Sequence, residues 1–196
     1  MAKQKEKFKF RLNYNSPVIL TYTFISLAVL IMGYLTGGKS TEYAFMIYRT
    51  SVIDPMFYFR LIGHVFGHAD ISHFAGNFML ILLAGPMLEE KYGSKKIMLM
   101  ILFTAVFTGI LNTALFPDIA LCGASGIAFM FIILSSFVNV KNNSGIPVTV
   151  ILVAVFYLGS EIVDGVFNKD NVSQFCHVIG GICGGVFGYL ISKNDK

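Results

Sequence analysis

Apolar residues fall in six blocks, each near the roughly 20-residue length that a helix needs to cross a bilayer. They cover residues 18–36, 71–88, 97–115, 124–140, 146–167 and 174–192. Turn-forming residues stand at their ends: Gly37-Gly38, the stretch 91–95 around Gly93, Pro117-Asp118, 142–145 and 168–171. The pattern predicts an all-α membrane protein with six transmembrane helices. Residues 37–70 lie outside the blocks yet carry Phe45, Met46, Ile47, Tyr48, Met56, Phe57, Tyr58, Phe59, Leu61 and Ile62, which is out of character for an aqueous loop. Asp54-Pro55 has the N-cap and first-turn residues of a helix start. Short helices lying in the outer membrane interface and packed on the bundle are expected there. No internal repeat is visible, nor the pair of broken helices in matching halves that marks many transporters.

Composition agrees. Only 13% of the 196 residues are charged and 55% are hydrophobic, against about 25% charged in soluble domains; the mean hydropathy is +0.69. A single domain is expected, with a basic tail over 1–17, a membrane domain over 18–192 and a short C-terminus over 193–196. No cleavable signal peptide is evident, because the basic N-terminus runs into a block too long for one. Cys122, Cys176 and Cys183 all sit in apolar surroundings without metal-ligand spacing, and read as small core residues. Charge sets the orientation. Eleven basic residues fall on one side (Lys3, Lys5, Lys7, Lys9, Arg11, Lys91, Lys95, Lys96, Lys141, Lys193, Lys196) and four on the other (Lys39, Arg49, Arg60, Lys169). The excess of positive charge predicts that both termini are cytoplasmic. The tail pattern Lys7-Phe8-Lys9-Phe10 suits an anionic membrane surface or a solvated tail equally.

Polar residues within the blocks are few: His73 and Asn77 in the second, Asn112 in the third, Ser125 in the fourth, Glu161 and Asp164 in the fifth, and His177 in the sixth. Each is a functional candidate by default. The second, fourth and sixth spans all run from outside to inside. His73, Asn77, Ser125 and His177 therefore share one layer roughly 10 Å deep below the outer surface, at 1.5 Å per residue. His73 and Asn77 are i, i+4 and face the same way. Gly180, Gly184 and Gly188 follow His177 at i+3, i+7 and i+11, a stripe that lets two helices approach closely. The fourth span, which begins Gly123-Ala124-Ser125-Gly126, is the expected partner. That approach would bring His177 to the Ser125 hydroxyl as general base to nucleophile. The Ser125 N–H, the Asn77 amide and a His73 ring N–H are the expected oxyanion donors. Taken singly, Ser125 reads as a packing residue and His177 as a helix–helix hydrogen-bond partner; it is their common depth that points to a site. His64 and His68, also i, i+4, raise zinc, but no Cys or carboxylate completes a tetrahedral set, and structural hydrogen bonding is the preferred reading. The absence of HExxH and of a partner for Asp164 argues against zinc and aspartyl intramembrane proteases. Glu89, Lys91 and Lys95 read as a solvated helix end, with Gly93 its C-terminal turn.

At these residues the sequence resembles the rhomboid family of intramembrane serine proteases. The likeness rests on Arg60, on His64-x-x-x-His68-x-x-x-x-His73-x-x-x-Asn77, on Glu89 to Gly93-Ser94, on Gly123-Ala124-Ser125-Gly126, and on His177-x-x-Gly180-x-x-x-Gly184. It covers essentially the whole chain. The resemblance implies a six-helix rhomboid core, a Ser125–His177 dyad, an oxyanion site of His73, Asn77 and the Ser125 N–H, an embedded first loop over 37–70, and a fifth span acting as lateral gate. The usual Trp-Arg pair is Phe59-Arg60 here, and the tyrosine usually packed on the catalytic histidine is Phe129. Arg60, Glu89, Gly123, Gly126, Phe129, Gly180 and Gly184 are the expected supporting residues.

The function expected is cleavage of transmembrane helices near their outer end, without metal or cofactor. Its partners are transmembrane protein substrates and the lipid bilayer, not nucleic acid. The chain is expected to be a compact core enzyme, in a bacterial cytoplasmic membrane. Alternatives of other classes are an inactive rhomboid-like scaffold or chaperone that binds helices, and a small transporter.

Overall fold

Pro17 occupies a first-turn position, where its missing N–H is harmless, and starts α1 (Pro17–Leu35). The computed structural model describes residues 14–138, 148–153, 155–156 and 171–194. Within them follow α2 (Lys39–Ala44), α3 (Pro55–Gly63), α4 (Ile71–Tyr92), α5 (Ser94–Leu115), α6 (Ser125–Ser135), α7 (Val148–Val153) and α8 (Asn171–Asn194). Among the described residues four helices, α1, α4, α5 and α8, are long and apolar enough to cross a membrane. Most of the fifth expected span, with Glu161 and Asp164, lies outside the described residues. Helices α4 and α5 run about a turn closer to Gly93 than their apolar blocks, because Glu89, Glu90, Lys91, Lys95 and Lys96 are helical without being apolar. Gly93, at φ +85°, makes the break between them.

The fourth block gives a shorter helix than expected. Helix α6 has 11 residues, about 16 Å at 1.5 Å each, and ends in turns over Ser136–Val138. Its residues Gly126 to Phe131, Ile133 and Leu134 are all buried. An apolar helix buried on every side is a central helix, and α4, α5 and α8 pack around it. The outer helices instead expose Phe24, Ile31, Leu35, Met79, Leu83, Leu99, Phe103, Tyr189 and Leu190, an apolar belt that matches lipid.

The closest packing is between α6 and α8. A Cβ on Gly180 would lie 2.1 Å from the Gly126 carbonyl oxygen, and one on Gly184 would lie 2.3 Å from that of Met130. One on Gly188 would meet the Phe137 ring at 2.4 Å. All three glycines of the stripe face the same partner helix or its continuation, as their spacing predicts.

Glu89 is not part of a solvated end. It is 4% exposed, and its carboxylate accepts the Val18 and Ile19 N–H groups at 3.0 Å each and the Ser94 hydroxyl at 2.6 Å. The reason is electrostatic: the first-turn amides of α1 lack helical acceptors, and the Ser16 side chain does not cap them. A carboxylate from α4 does so instead.

Residues 37–70 form short helices, as expected. Asp54 caps α3, accepting the Met56 N–H at 2.9 Å, with Pro55 next. Buried Arg60 is the hub. Its Nε donates to the Tyr43 carbonyl at 2.8 Å, its Nη1 lies 3.6 Å from Asp54 Oδ2, and its guanidinium sits 4.6 Å over the Tyr48 ring. Phe59 packs edge-on against Phe45 at 5.8 Å. This segment also holds the loop that precedes α6. Ile47 and Leu121 exchange both backbone hydrogen bonds at 2.9 Å, and the Gly123 N–H donates to the His64 carbonyl at 2.9 Å. The Ala124 N–H donates to His68 Nε2 at 3.3 Å, so that nitrogen carries a lone pair, and Nδ1–H points to the Phe66 carbonyl at 3.2 Å. His64 places Nδ1 3.1 Å from the Arg60 carbonyl and Nε2 3.4 Å from the Thr108 hydroxyl. Burial pushes both imidazoles down from 6.5 to about 4.

Neighbouring glycines test the helix approach. Gly184→Ala is expected to cost about 1–3 kcal/mol or more in a denaturant titration, since backbone must move. Gly185→Ala, whose Cβ would meet only Ile133 Cγ2 at 3.9 Å, is expected to leave stability unchanged or raise it by about 0.5–1 kcal/mol. The histidines predict a pH dependence. Above about pH 6.5 both folded and unfolded chains hold them neutral. Between about 6.5 and 4 only the unfolded chain takes up their protons, so stability falls as pH falls through that window. His68→Gln, which keeps an acceptor for the Ala124 N–H, is expected to flatten that slope in unfolding midpoints measured from pH 7.5 to 4.

Candidate active site

Ser125 opens α6 with no side-chain cap before it, so its backbone N–H heads the helix without an intrahelical acceptor. The two amides just upstream are already held, Gly123 by the His64 carbonyl and Ala124 by His68. The loop thus fixes Ser125 from behind and leaves its own amide facing forward. Asn112 adds a support, its Nδ2 donating to the Ile119 carbonyl at 3.0 Å.

His73 and Asn77 approach this point from α4. Asp70 caps that helix by accepting the His73 N–H at 2.8 Å. A Cβ on Gly123 would lie 2.7 Å from His73 Nε2 and 3.7 Å from Asn77 Nδ2. Gly123 also has φ +130°, a conformation that side chains disfavour. Glycine is therefore required twice, for the turn and for the space that the imidazole fills. Asn77 is 7% exposed, and its Nδ2 is buried with no hydrogen-bond partner among the described residues. A buried amide donor left unpaired is costly, and this one borders the loop two residues before Ser125.

From the other side, α8 presents His177. Its ring stacks on Phe129 with centroids 4.3 Å apart and planes 8° from parallel. Phe129 follows Ser125 at i+4 and shares its face of α6. Ser125 thus sits one turn above the ring that the imidazole covers. His73 is within electrostatic range of His177, and its ring lies 5.1 Å from that of His68.

The supporting glycines differ. Gly180 allows the helix crossing, while a Cβ on Gly126 would meet only the Cys176 carbonyl at 3.5 Å and Thr108 Cγ2 at 3.6 Å, both ordinary contacts. The room is made on α8, not by Gly126. Asp70 and the loop-holding role of His68 escaped the sequence reading. An Asp directly before an apolar block is an N-cap signal that could have found the first. His64 and His68 spend their nitrogens as described, and among the described residues no three His, Cys, Asp or Glu side chains gather to hold a metal. Burial pushes the Cys122 thiol up to about 11, so it is no competing nucleophile near neutral pH. No disulfide joins Cys122, Cys176 or Cys183.

The rhomboid domain family matches residues 56–194. The chain is similar to rhomboid protease GluP of Bacillus subtilis (strain 168), 29% identical over 182 residues that cover 88% of this chain and 34% of that protein. It is also similar to rhomboid-related protein 1 of Caenorhabditis elegans, 27% identical over 143 residues, 69% of this chain and 40% of that one. The chain thus spans a third to two fifths of the length of these relatives. With apolar helices of membrane-crossing length and a family match over most of its residues, the chain is an integral membrane protein and belongs to the rhomboid family.

Proposed function

We propose that the protein is an intramembrane serine endopeptidase that cuts transmembrane helices of other membrane proteins near their outer end. The observation that carries this reading is the convergence around Ser125: a buried Asn77 amide, unpaired among the described residues, beside Gly123 on one side, and His177 stacked on Phe129 on the other. The similarity to a relative named as a protease supports it. In this proposal Ser125 Oγ attacks the scissile carbonyl while His177 takes its proton. The developing oxyanion receives hydrogen bonds from the Ser125 N–H, the Asn77 amide and a His73 ring N–H. His177 then returns the proton to the leaving amine, and water hydrolyses the acyl-enzyme at Ser125. A transmembrane helix hides its amides in its own hydrogen bonds, so good substrates carry helix-weakening residues near the cut. A six-helix core and a lateral-gate role for the fifth span, most of which lies outside the described residues, belong to this proposal. The charge bias places both termini in the cytoplasm, and a bacterial cytoplasmic membrane is the proposed location.

The test is cleavage of a helix-destabilised transmembrane substrate in proteoliposomes. Ser125→Ala and His177→Ala are each expected to abolish it, with the variants still folded. Asn77→Ala is expected to lower kcat by about 10²–10³ with little change in KM, as for loss of one oxyanion donor. Undiminished cleavage by folded Ser125→Ala would overturn the dyad. If the folded wild-type protein neither cuts nor is labelled by a serine-directed probe, a helix-binding scaffold becomes the better reading.

A further inference from the structure

A cavity of about 370 Å³ opens between α1, α2 and the segment before α4, with His68 in its wall. That volume lies within the roughly 300–1,000 Å³ of small-ligand pockets. Its space comes from backbone: Gly37 and Gly38 turn at φ +61° and +88°, and a Cβ on either would meet nothing within 4 Å. Leu30 and Met46 give it an apolar part. Its polar side chains are Tyr34, Thr41, Glu42 and His68. Glu42 brings a carboxylate with no ion-pair partner among the described residues. Thr41, 5% exposed, brings a hydroxyl that makes no hydrogen bond among them. The Tyr34 oxygen accepts the Ile71 N–H at 3.0 Å, and its ring is an aromatic face. Among the described residues, no Lys or Arg lines the space.

The geometry points to a binding site for a small organic cation, an ammonium group on a short apolar stem. Glu42 meets the charge, Thr41 accepts a hydrogen bond, the Tyr34 ring offers its face, and Leu30 and Met46 take the stem. The ammonium can come from a soluble amine or from the headgroup of an ethanolamine lipid. His68 is part of the wall, and its Nε2 holds the Ala124 N–H next to Ser125. The site therefore lies one side chain from the loop that carries the proposed nucleophile, but binding itself does not depend on protease activity.

The experiment titrates wild-type protein in detergent with n-butylamine, and with n-butanol as the neutral counterpart, by calorimetry. In parallel, the protein is reconstituted in vesicles of ethanolamine-headgroup or glycerol-headgroup lipid, and its unfolding temperature is measured. Saturable binding of butylamine and not butanol, weakened about tenfold or more in Glu42→Gln, supports the site with a soluble source. Stabilisation by ethanolamine lipid alone, lost in Glu42→Gln, supports it with a lipid source. Equal binding of butanol, binding indifferent to Glu42→Gln, or no response of wild-type protein in either arm overturns it. Thr41→Val is the second variant should Glu42→Gln not fold, and it is expected to weaken the same response.

Discussion

Two helices touching backbone to backbone is the condition on which the candidate site rests. Where Gly180 meets the Gly126 carbonyl, no side chain separates α8 from α6. Only at that separation does the His177 ring reach Phe129 and lie flat on it. Lipid tails are as apolar as leucine, so a membrane helix pair gains little from burying apolar surface; packing and the room for it decide association. The glycine stripe is thus a cause of the site's geometry rather than an accompaniment. It also explains why α6 tolerates being short. A helix held over its length by α8 and enclosed by α4 and α5 has no lipid-facing surface of its own to match to the bilayer.

The second condition is the loop ahead of Ser125. It has little regular structure, yet its backbone is held at Leu121, Gly123 and Ala124. All three holds lead back to residues 37–70, and that segment is itself organised by the buried guanidinium of Arg60 with Tyr43, Tyr48 and Asp54. The first loop therefore acts as a bracket for the site. A Phe in place of the usual Trp before Arg60 leaves the bracket intact, because Phe59 packs on Phe45 while the arginine makes the polar contacts. Likewise Phe129 keeps the ring stack on His177.

Much of this was legible in the sequence, for reasons that differ by feature. Spans of helix follow from apolar length, and Asp54-Pro55 signals a helix start through local chemistry alone. The direction faced by Gly180, Gly184 and Gly188 follows from helical period, and His73 with Asn77 from the same rule. Features that depend on a distant partner were not legible. Glu89 looks like a solvated end because nothing near it in sequence reveals the α1 amides it binds. Helix α6 ends at the Ser135-Ser136 pair, inside the block that apolar content alone marks as one span. Gly126 reads as a packing glycine beside Ser125, but only coordinates show that the tight contact is borne by Gly180. His68 could be read as structural, but not its tautomer, which depends on the Ala124 amide 56 residues away.

The carboxylate of Glu89 has a bearing on how the chain assembles as it is made. Helix α1 emerges before α4, and the acceptor for its Val18 amide lies 71 residues further on. At 5–20 residues per second, α1 waits on the order of ten seconds before that carboxylate exists. During that interval its leading amides have only water to bond. The end of α1 must therefore stay in the aqueous margin of the membrane until α4 has followed it, and the arrival of Glu89 is what lets that end be sealed. One side chain thus dates a step of biogenesis: the bundle cannot close around α1 before its second long segment, α4, has been made.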